Sequence, residues 1–383
     1  MASLTLGWIE LAAVVGSMQG VLLTGVLLTQ RNNRTANRLL AALMIAFTIY
    51  LASSAYYATG MFRAFPHFFG WSYPMPWLFG PLVYLYAIAA SDRSWRFERR
   101  HWWHLAPGAI TTLIAIPYFV LDGAGKIALF DRFASGDVPL HIVVLEPTKY
   151  VSGIAYSIAT VRYLRRHARD VEDNYSNIAG VNLRWLLWLA GAAAATWVLA
   201  IAVEIFGPTQ QIHHDYVALA IAVVIYAIGY MGLRQPEVFR YQTSEFRVVR
   251  PEPQTQPEVR YERSGLTDGE ALQLEQSLRR MMDDEQPWKD SELTLPQLAD
   301  RLRTTPHKLS EVLNSQVGQT FYDFVNGYRV REVQRRIKEG EAKRLKILAL
   351  ALDAGFASKS TFNQVFKKHT NLTPSDFRQA VGG

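Results

Sequence analysis

The chain has 383 residues, 40 Lys/Arg against 33 Asp/Glu for a net charge of +7, and no cysteine. The missing cysteines exclude disulfide frameworks, thiolate metal sites and cysteine nucleophiles, and the positive balance suits an anionic partner, either phospholipid or nucleic acid. The length exceeds one ordinary domain, and the charge divides unevenly: 16 of the Lys/Arg fall in the first 233 residues and 24 in the last 150.

The first part is apolar. Runs approaching the ~20 residues that cross a ~30 Å hydrocarbon layer recur as Trp8–Leu28, Leu39–Ala58, Pro74–Ala90, Leu105–Leu121, Ile142–Leu164, Trp185–Phe206 and Tyr216–Leu233. They predict a seven-helix transmembrane domain over 1–233. Met1–Leu6 carries no charge, whereas Arg31, Arg34 and Arg38 follow the first run, so that run is expected to be retained with its amino terminus outside. Alternate loops agree with this orientation. One set holds Arg31, Arg34, Arg38, Arg93, Arg96, Arg99, Arg100, Arg165, Arg166, Arg169 and Arg184, and the other only Arg63, Lys126 and Arg132. Because basic loops stay cytoplasmic, everything after Leu233 is expected in the cytoplasm. Trp8, Trp71, Trp102, Trp103 and Trp185 at run ends read as interfacial anchors.

Charged groups within apolar runs need a partner or a wet cavity. Glu10, Glu146, Lys149 and Glu204 are such groups. Glu146 and Lys149, three apart, share a helical face and are expected to form a local ion pair. Glu146, Lys149 and Glu204, with Tyr73 and Trp77 and the neighbouring Tyr56 and Tyr57 as aromatic walls, form a candidate ligand pocket open to the outside. His213, His214 and Asp215 contain metal-ligating types, but adjacent histidines in an outer loop read as solvated, and no metal or cofactor is expected. No H-E-x-x-H, G-x-S-x-G or P-loop pattern occurs, so an enzyme is not expected.

Residues 234–285 read as a linker, with prolines at 236, 251, 253 and 257 and then a helix over 268–284. Thr267-Asp-Gly-Glu270 is a capping box, and the stripe Leu272, Leu274, Leu278, Met281, Met282 is free to pack on the next domain or on a second copy. This helix is the sequence's candidate for coupling the spans to the carboxy-terminal part of the chain.

From 287 to 383 the pattern is two short helix-turn-helix units, at 295–317 and 347–369, joined by a linker helix over 320–339. Thr294-Leu-Pro-Gln297 caps the first helix, and Thr305 with Pro306 starts the second. That leaves His307, Lys308, Ser310, Glu311 and Asn314 outward. In the second unit Gly355 makes the turn, Ser358 caps, Phe362 and Phe366 point inward, and Lys359, Ser360, Asn363, Gln364 and Lys367 point outward. A short helix, a tight turn and a polar-faced second helix suit entry into a major groove, where Asn and Gln bond adenine edges and lysines meet phosphate or guanine. The linker helix spans roughly 30 Å, close to the ~34 Å of one duplex turn. Arg329, Arg335 and Arg336 along it, with Arg331 and Lys338, read as phosphate neutralisers. From Pro287 onward 16 basic residues face 10 acidic ones.

These residues resemble the AraC/XylS-type DNA-binding domain. The likeness rests on F-Y-D-F followed by N-x-x-R-V-x-x-V (321–333), A-G-F-A-S-K-S-T-F-N-Q-V-F-K-K (354–368) and L-T-P-S-D-F-R (372–378). G-P-L-V-Y-L-Y (80–86) and G-L-T-D-G-E (265–270) resemble the multi-span sensor region of some bacterial members. The resemblance implies a bacterial transcription regulator. Arg303 and Thr304 stand where the family often has glycine and a small aliphatic residue, and Asn371 replaces a usual glycine.

The expected fold is thus all-α, a seven-helix transmembrane bundle followed by a cytoplasmic all-α domain with two helix-turn-helix units. The expected function is a one-component sensor in the bacterial cytoplasmic membrane, whose partners are promoter DNA, the bilayer, a second copy, RNA polymerase and a small-molecule or membrane signal. Two rivals are a transporter or channel with a DNA-binding tail, which would need a continuous polar path, and a scaffold whose basic tail binds anionic lipid.

Overall fold

The computed structural model describes residues 7–31, 33–92, 95–177, 184–206, 217–228 and 266–382. The expected tether over 234–265, His213, His214 and Asp215, and both ends of the seventh apolar run lie outside the described residues. The described residues are helical, with a lone antiparallel bridge between Tyr175 and Thr294. The chain divides into two compact units, Met1–Arg165 with Leu183–Tyr241, and Arg166–Asn182 with Gln242–Gly383.

In the first unit the helices are α1 (Trp8–Thr29), α2 (Arg34–Ala58), α3 (Met61–Ala64), α4 (Pro76–Ser91), α5 (Ala106–Phe119), α6 (Gly123–Ala134), the first part of α7 (Leu140–Asn174), α8 (Arg184–Phe206) and α9 (Val217–Ile228). Leu40, Leu43, Met44, Leu51, Leu85, Leu164 and Leu186 fill the core. The outward side is equally apolar: Leu22, Leu113, Val151, Trp188 and Phe206 are exposed, the last at 82%. A water-facing surface rarely carries so much contiguous hydrocarbon.

Three helices, α1, α2 and α8, are long and apolar enough to cross a membrane, or four if Arg99–Phe119 and Gly123–Ala134, bent by 115°, count as one broken span. This corrects the expected seven. α4 has 16 residues and α5 has 14, so they rise only about 24 and 21 Å at 1.5 Å per residue. The apolar stretch of α7 is interrupted by Glu146, Pro147 and Lys149, and α9 is described over Val217–Ile228 alone.

The second unit contains the last turns of α7, then α10 (Asp268–Asp284), α11 (Leu295–Arg301), α12 (Pro306–Val312), α13 (Phe321–Lys338), α14 (Ile347–Asp353), α15 (Lys359–Thr370) and α16 (Pro374–Gly382). The Thr267/Glu270 capping box forms as expected. The later part of the α10 stripe packs on its own domain: Leu278 and Met282 are fully buried in one core with Leu298, Leu309, Leu313 and Phe321, whereas Leu272 is exposed. Trp288 fixes the following turn, its Nε1–H donating to the Met282 carbonyl at 2.9 Å. Phe356, Phe362, Phe366 and Phe377 continue the core as edge-on rings 5.2–5.5 Å apart.

Arg303 and Asn371 both adopt left-handed backbone, at φ +53 and +59. Asn tolerates that region, whereas for Arg it costs ~1 kcal/mol or more. Arg303→Gly is therefore expected to stabilise the unit by about 0.5 kcal/mol, after allowing for glycine's larger unfolded-state entropy, as a rise in urea midpoint.

Candidate functional site

Each helix-turn-helix forms where its turn chemistry demands. In the first, the Thr294 hydroxyl accepts from Gln297 N–H while the Gln297 side chain accepts from Thr294 N–H, opening α11. Thr305 Oγ1 then accepts from Lys308 N–H to open α12. The chain continues through one wider turn, Leu313–Val317, and ends at Gly318 with φ +70. Leu309, Val312 and Leu313 face the core. His307 and Asn314 are exposed, and Lys308, Ser310 and Glu311 are half-buried at its edge. Asn314 Nδ2 lies 3.4 Å from Ser310 Oγ, so these two side chains form one polar patch.

In the second unit, Ser358 Oγ accepts from Thr361 N–H and opens α15. Thr361, Phe362, Val365 and Phe366 are buried, which turns Lys359, Ser360, Asn363, Gln364 and Lys367 outward. The ten sequence-derived base-reading positions therefore split into two sets, one on α12 and the turn after it and one facing outward on α15.

The phosphate-contact set fares differently. Arg329 is 1% exposed and makes five hydrogen bonds inside the domain, to the carbonyls of Trp288 (2.7 Å), Asp290 (2.6 Å) and Ser176 (3.1 Å), to Ser176 Oγ (3.1 Å) and to Asn326 Oδ1 (3.1 Å). A guanidinium used up this way cannot reach a phosphate, so its expected role is corrected to a structural one. Burial lowers its pKa to about 10, opposed by the nearby carboxylates of Asp290 and Glu292, so it stays charged at neutral pH. Arg335 is exposed but bridged to Glu332 and Glu339, whose hydrogen bonds raise its pKa. Arg336 is bridged to Glu341 and Asp353, with the same direction of shift. Lys368 pairs with Asp323 at 2.6 Å. Lys343, Arg344 and Lys346, in the turn before α14, are exposed. They were not singled out from sequence, although the run K-R-L-K between two helices was the available signal.

The residues of the expected ligand pocket lie as follows. Glu146 and Lys149 form their ion pair, Lys149 also lies 5.0 Å over the Tyr150 ring, and Tyr150 Oη donates to Glu204 at 3.2 Å. Trp77 is buried against Tyr73, its Nε1–H donating to Thr148 Oγ1 at 2.9 Å. A cavity lies between α2, α4, α7, α8 and α9. Of the five expected residues only Lys149 lines it. Tyr50, Tyr150, Ser157, Thr160 and Thr196 supply hydroxyls, and the other walls are apolar. Among the described residues no group of three or more His, Asp or Glu is arranged to hold a metal ion.

Residues 298–380 match a family model described as a helix-turn-helix domain. Over 71 residues, 18% of this chain and 56% of the relative, the sequence is 37% identical to a probable transcription factor, PqrA, of Proteus vulgaris. It is 29% identical over 90 residues, 24% of this chain and 11% of the relative, to the HTH-type transcriptional regulator YtdP of Bacillus subtilis (strain 168). It is 31% identical over 85 residues, 22% of this chain and 23% of the relative, to the transcriptional regulatory protein YesN of the same organism. The chain thus spans little more than half of the first of these relatives and less of the other two. No solved structure matches. Residues 298–380 of the chain are a helix-turn-helix domain.

Proposed function

We propose that the chain is a membrane-anchored, sequence-specific regulator of transcription, a one-component sensor of the bacterial cytoplasmic membrane. The observation that carries the DNA reading is the pair of polar sets, each on the second helix of a helix-turn-helix or the turn after it, backed by cores that hold those helices rigid. Asn363 and Gln364 are the adenine-reading groups of this assignment, with His307, Lys308, Ser310, Glu311 and Asn314 in the first unit and Lys359, Ser360 and Lys367 beside them in the second. Lys343, Arg344 and Lys346 take the phosphate role from Arg329, and Arg335 and Arg336 contribute through the outer faces of their carboxylate bridges.

The membrane reading rests on the outward hydrocarbon of the first unit and on its three long apolar helices. α1, α2 and α8 are the spans of this reading, with the bent pair α5 and α6 as a fourth where it crosses as one broken span. The cavity supports a sensory role over a transport one, since Lys149 is the one charged group among its described lining residues. A second copy and RNA polymerase are further partners of the same reading.

A genome-wide map of DNA bound by the full-length protein in its own cell tests the assignment. Discrete promoter sites support it, and binding no better than to random competitor refutes it. On the operator so found, Asn363→Ala is expected to weaken binding about 10- to 100-fold and to relax the preference at one base position. Arg344→Ala or Lys346→Ala should instead weaken binding to all duplexes alike and lower the slope of log affinity against log salt by about 1 each.

A further inference from the structure

The second compact unit is built from two stretches of chain far apart in sequence. Helix α7 runs unbroken from Leu140 to Asn174, yet its residues from Arg166 onward belong with Gln242–Gly383. The join is specific atom by atom. Tyr175 pairs with Thr294, and Ser176 gives both its N–H (3.2 Å) and its hydroxyl (2.7 Å) to the Leu293 carbonyl. The Ser176 carbonyl accepts from Asn326 Nδ2 at 3.0 Å and from Arg329 Nη1 at 3.1 Å, while its Oγ accepts from Arg329 Nη2. Asn177 Nδ2 donates to Glu292 at 3.2 Å. Val171, Tyr175 and Ser176 are buried.

A guanidinium out of water is costly unless its N–H groups are all used. Two of the five Arg329 bonds end on Ser176, so without the 166–177 segment part of this charge would lack its partners. Two more tie Arg329 to the 288–290 turn, and the Trp288 carbonyl in that turn sits where it would overlap a Cβ on Gly355. The segment, the linker helix α13 and the turn of the second helix-turn-helix are therefore in direct mechanical series. The same α7 lines the apolar cavity with Lys149, Tyr150, Ser157 and Thr160.

We infer that Leu293–Thr294 and the face of α13 carrying Asn326 and Arg329 are a built-in docking surface whose occupant is the chain's own 166–177 segment. The end of α7 is then a structural part of the DNA-binding unit, completing it from a distant stretch of the chain. The inference rests on the proposed function only for that unit's role in binding DNA.

Its test needs neither DNA nor lipid, so its failure would leave the DNA reading standing. A protease site is placed within 242–260 of the full-length, amino-terminally tagged protein in detergent, and the chain is cut. The carboxy-terminal piece is expected to co-purify with the tagged piece. Ser176→Trp, which fills the buried seat from the tagged side and leaves the DNA-binding piece wild type, should lower retention at least ~10-fold, equivalent to ~1.4 kcal/mol. In this cysteine-free chain the pair Asn177→Cys and Glu292→Cys should be bridged by a short bis-maleimide, which adds one cysteine thiol to each of its two double bonds and holds the cut pieces together covalently. Separation of the wild-type pieces, undiminished retention of Ser176→Trp, or a failure of the cysteine pair to bridge would each overturn the inference.

Discussion

Gly355→Ala is expected to unfold the second helix-turn-helix. Gly355 has φ +91, and an added Cβ would overlap the Trp288 carbonyl oxygen and lie 2.8 Å from that of Lys289. Both obstacles are backbone, so neither can swing aside. The left-handed conformation alone costs an L residue ~1–2 kcal/mol. Relieving the clash requires moving the 288–290 turn, whose carbonyls at Trp288 and Asp290 are engaged by Arg329. We expect a loss of at least ~4 kcal/mol, in the range reserved for severe steric or network damage. Hydrogen exchange in the full-length protein reads this directly: amides of α14 and α15 should exchange near the unfolded rate, while α1 and α2 keep wild-type protection. Wild-type protection across 347–370 would refute the steric argument.

Arg329→Leu is expected to destabilise the second unit by ~3 kcal/mol. Leucine recovers the desolvation of the buried charge, which limits the damage. It also leaves the Trp288 carbonyl without this donor in a dry interior, at ~1–3 kcal/mol, and reduces the bonding of the Ser176 and Asp290 carbonyls to what Asn326 Nδ2 and Leu293 N–H supply. A phosphate-binding arginine would behave in the opposite manner, with unchanged stability and a lower salt slope in DNA binding. The urea midpoint and the salt dependence of operator binding, measured on one variant, therefore separate the two roles.

That arginine also marks where sequence reasoning reached its limit. The capping boxes at Thr267 and Thr294, the Thr305 and Ser358 caps, the Gly318 stop and the outward set on α15 were all legible, because each depends on residues within four positions of one another. Asn371 in left-handed backbone was legible for the same reason. Arg329 was read by its charge, as a surface residue, although Val325, Arg329, Val333 and Ile337 are spaced four apart and so share one helical face. All four are buried. The periodicity carried the answer, and the partners that make burial tolerable did not show: Ser176 lies 153 residues away and the 288 carbonyl 41 away.

The spans failed in another way. Hydropathy located the apolar helices but could not fix their lengths or bends. α4 starts at Pro76, α5 begins only after a tight 3-10 stretch through Leu105, and the chain turns sharply before α6. The direction of the α10 stripe was likewise invisible, since a self-packed and a dimer-packed apolar face have the same period.

Because Ser176 and Arg329 are separated by the whole of α8 and α9 in the chain, the carboxy-terminal unit is finished late in its own synthesis. At ~5–20 residues per second a ribosome needs roughly 8–30 s to pass from the serine to the arginine. For that interval Tyr175 and Ser176 at the end of α7 wait without their partners Thr294, Leu293 and Arg329. The nascent protein thus has an aggregation-sensitive window that a helix-turn-helix made from one continuous stretch would not have, and a pause in translation over 180–290 should lengthen it.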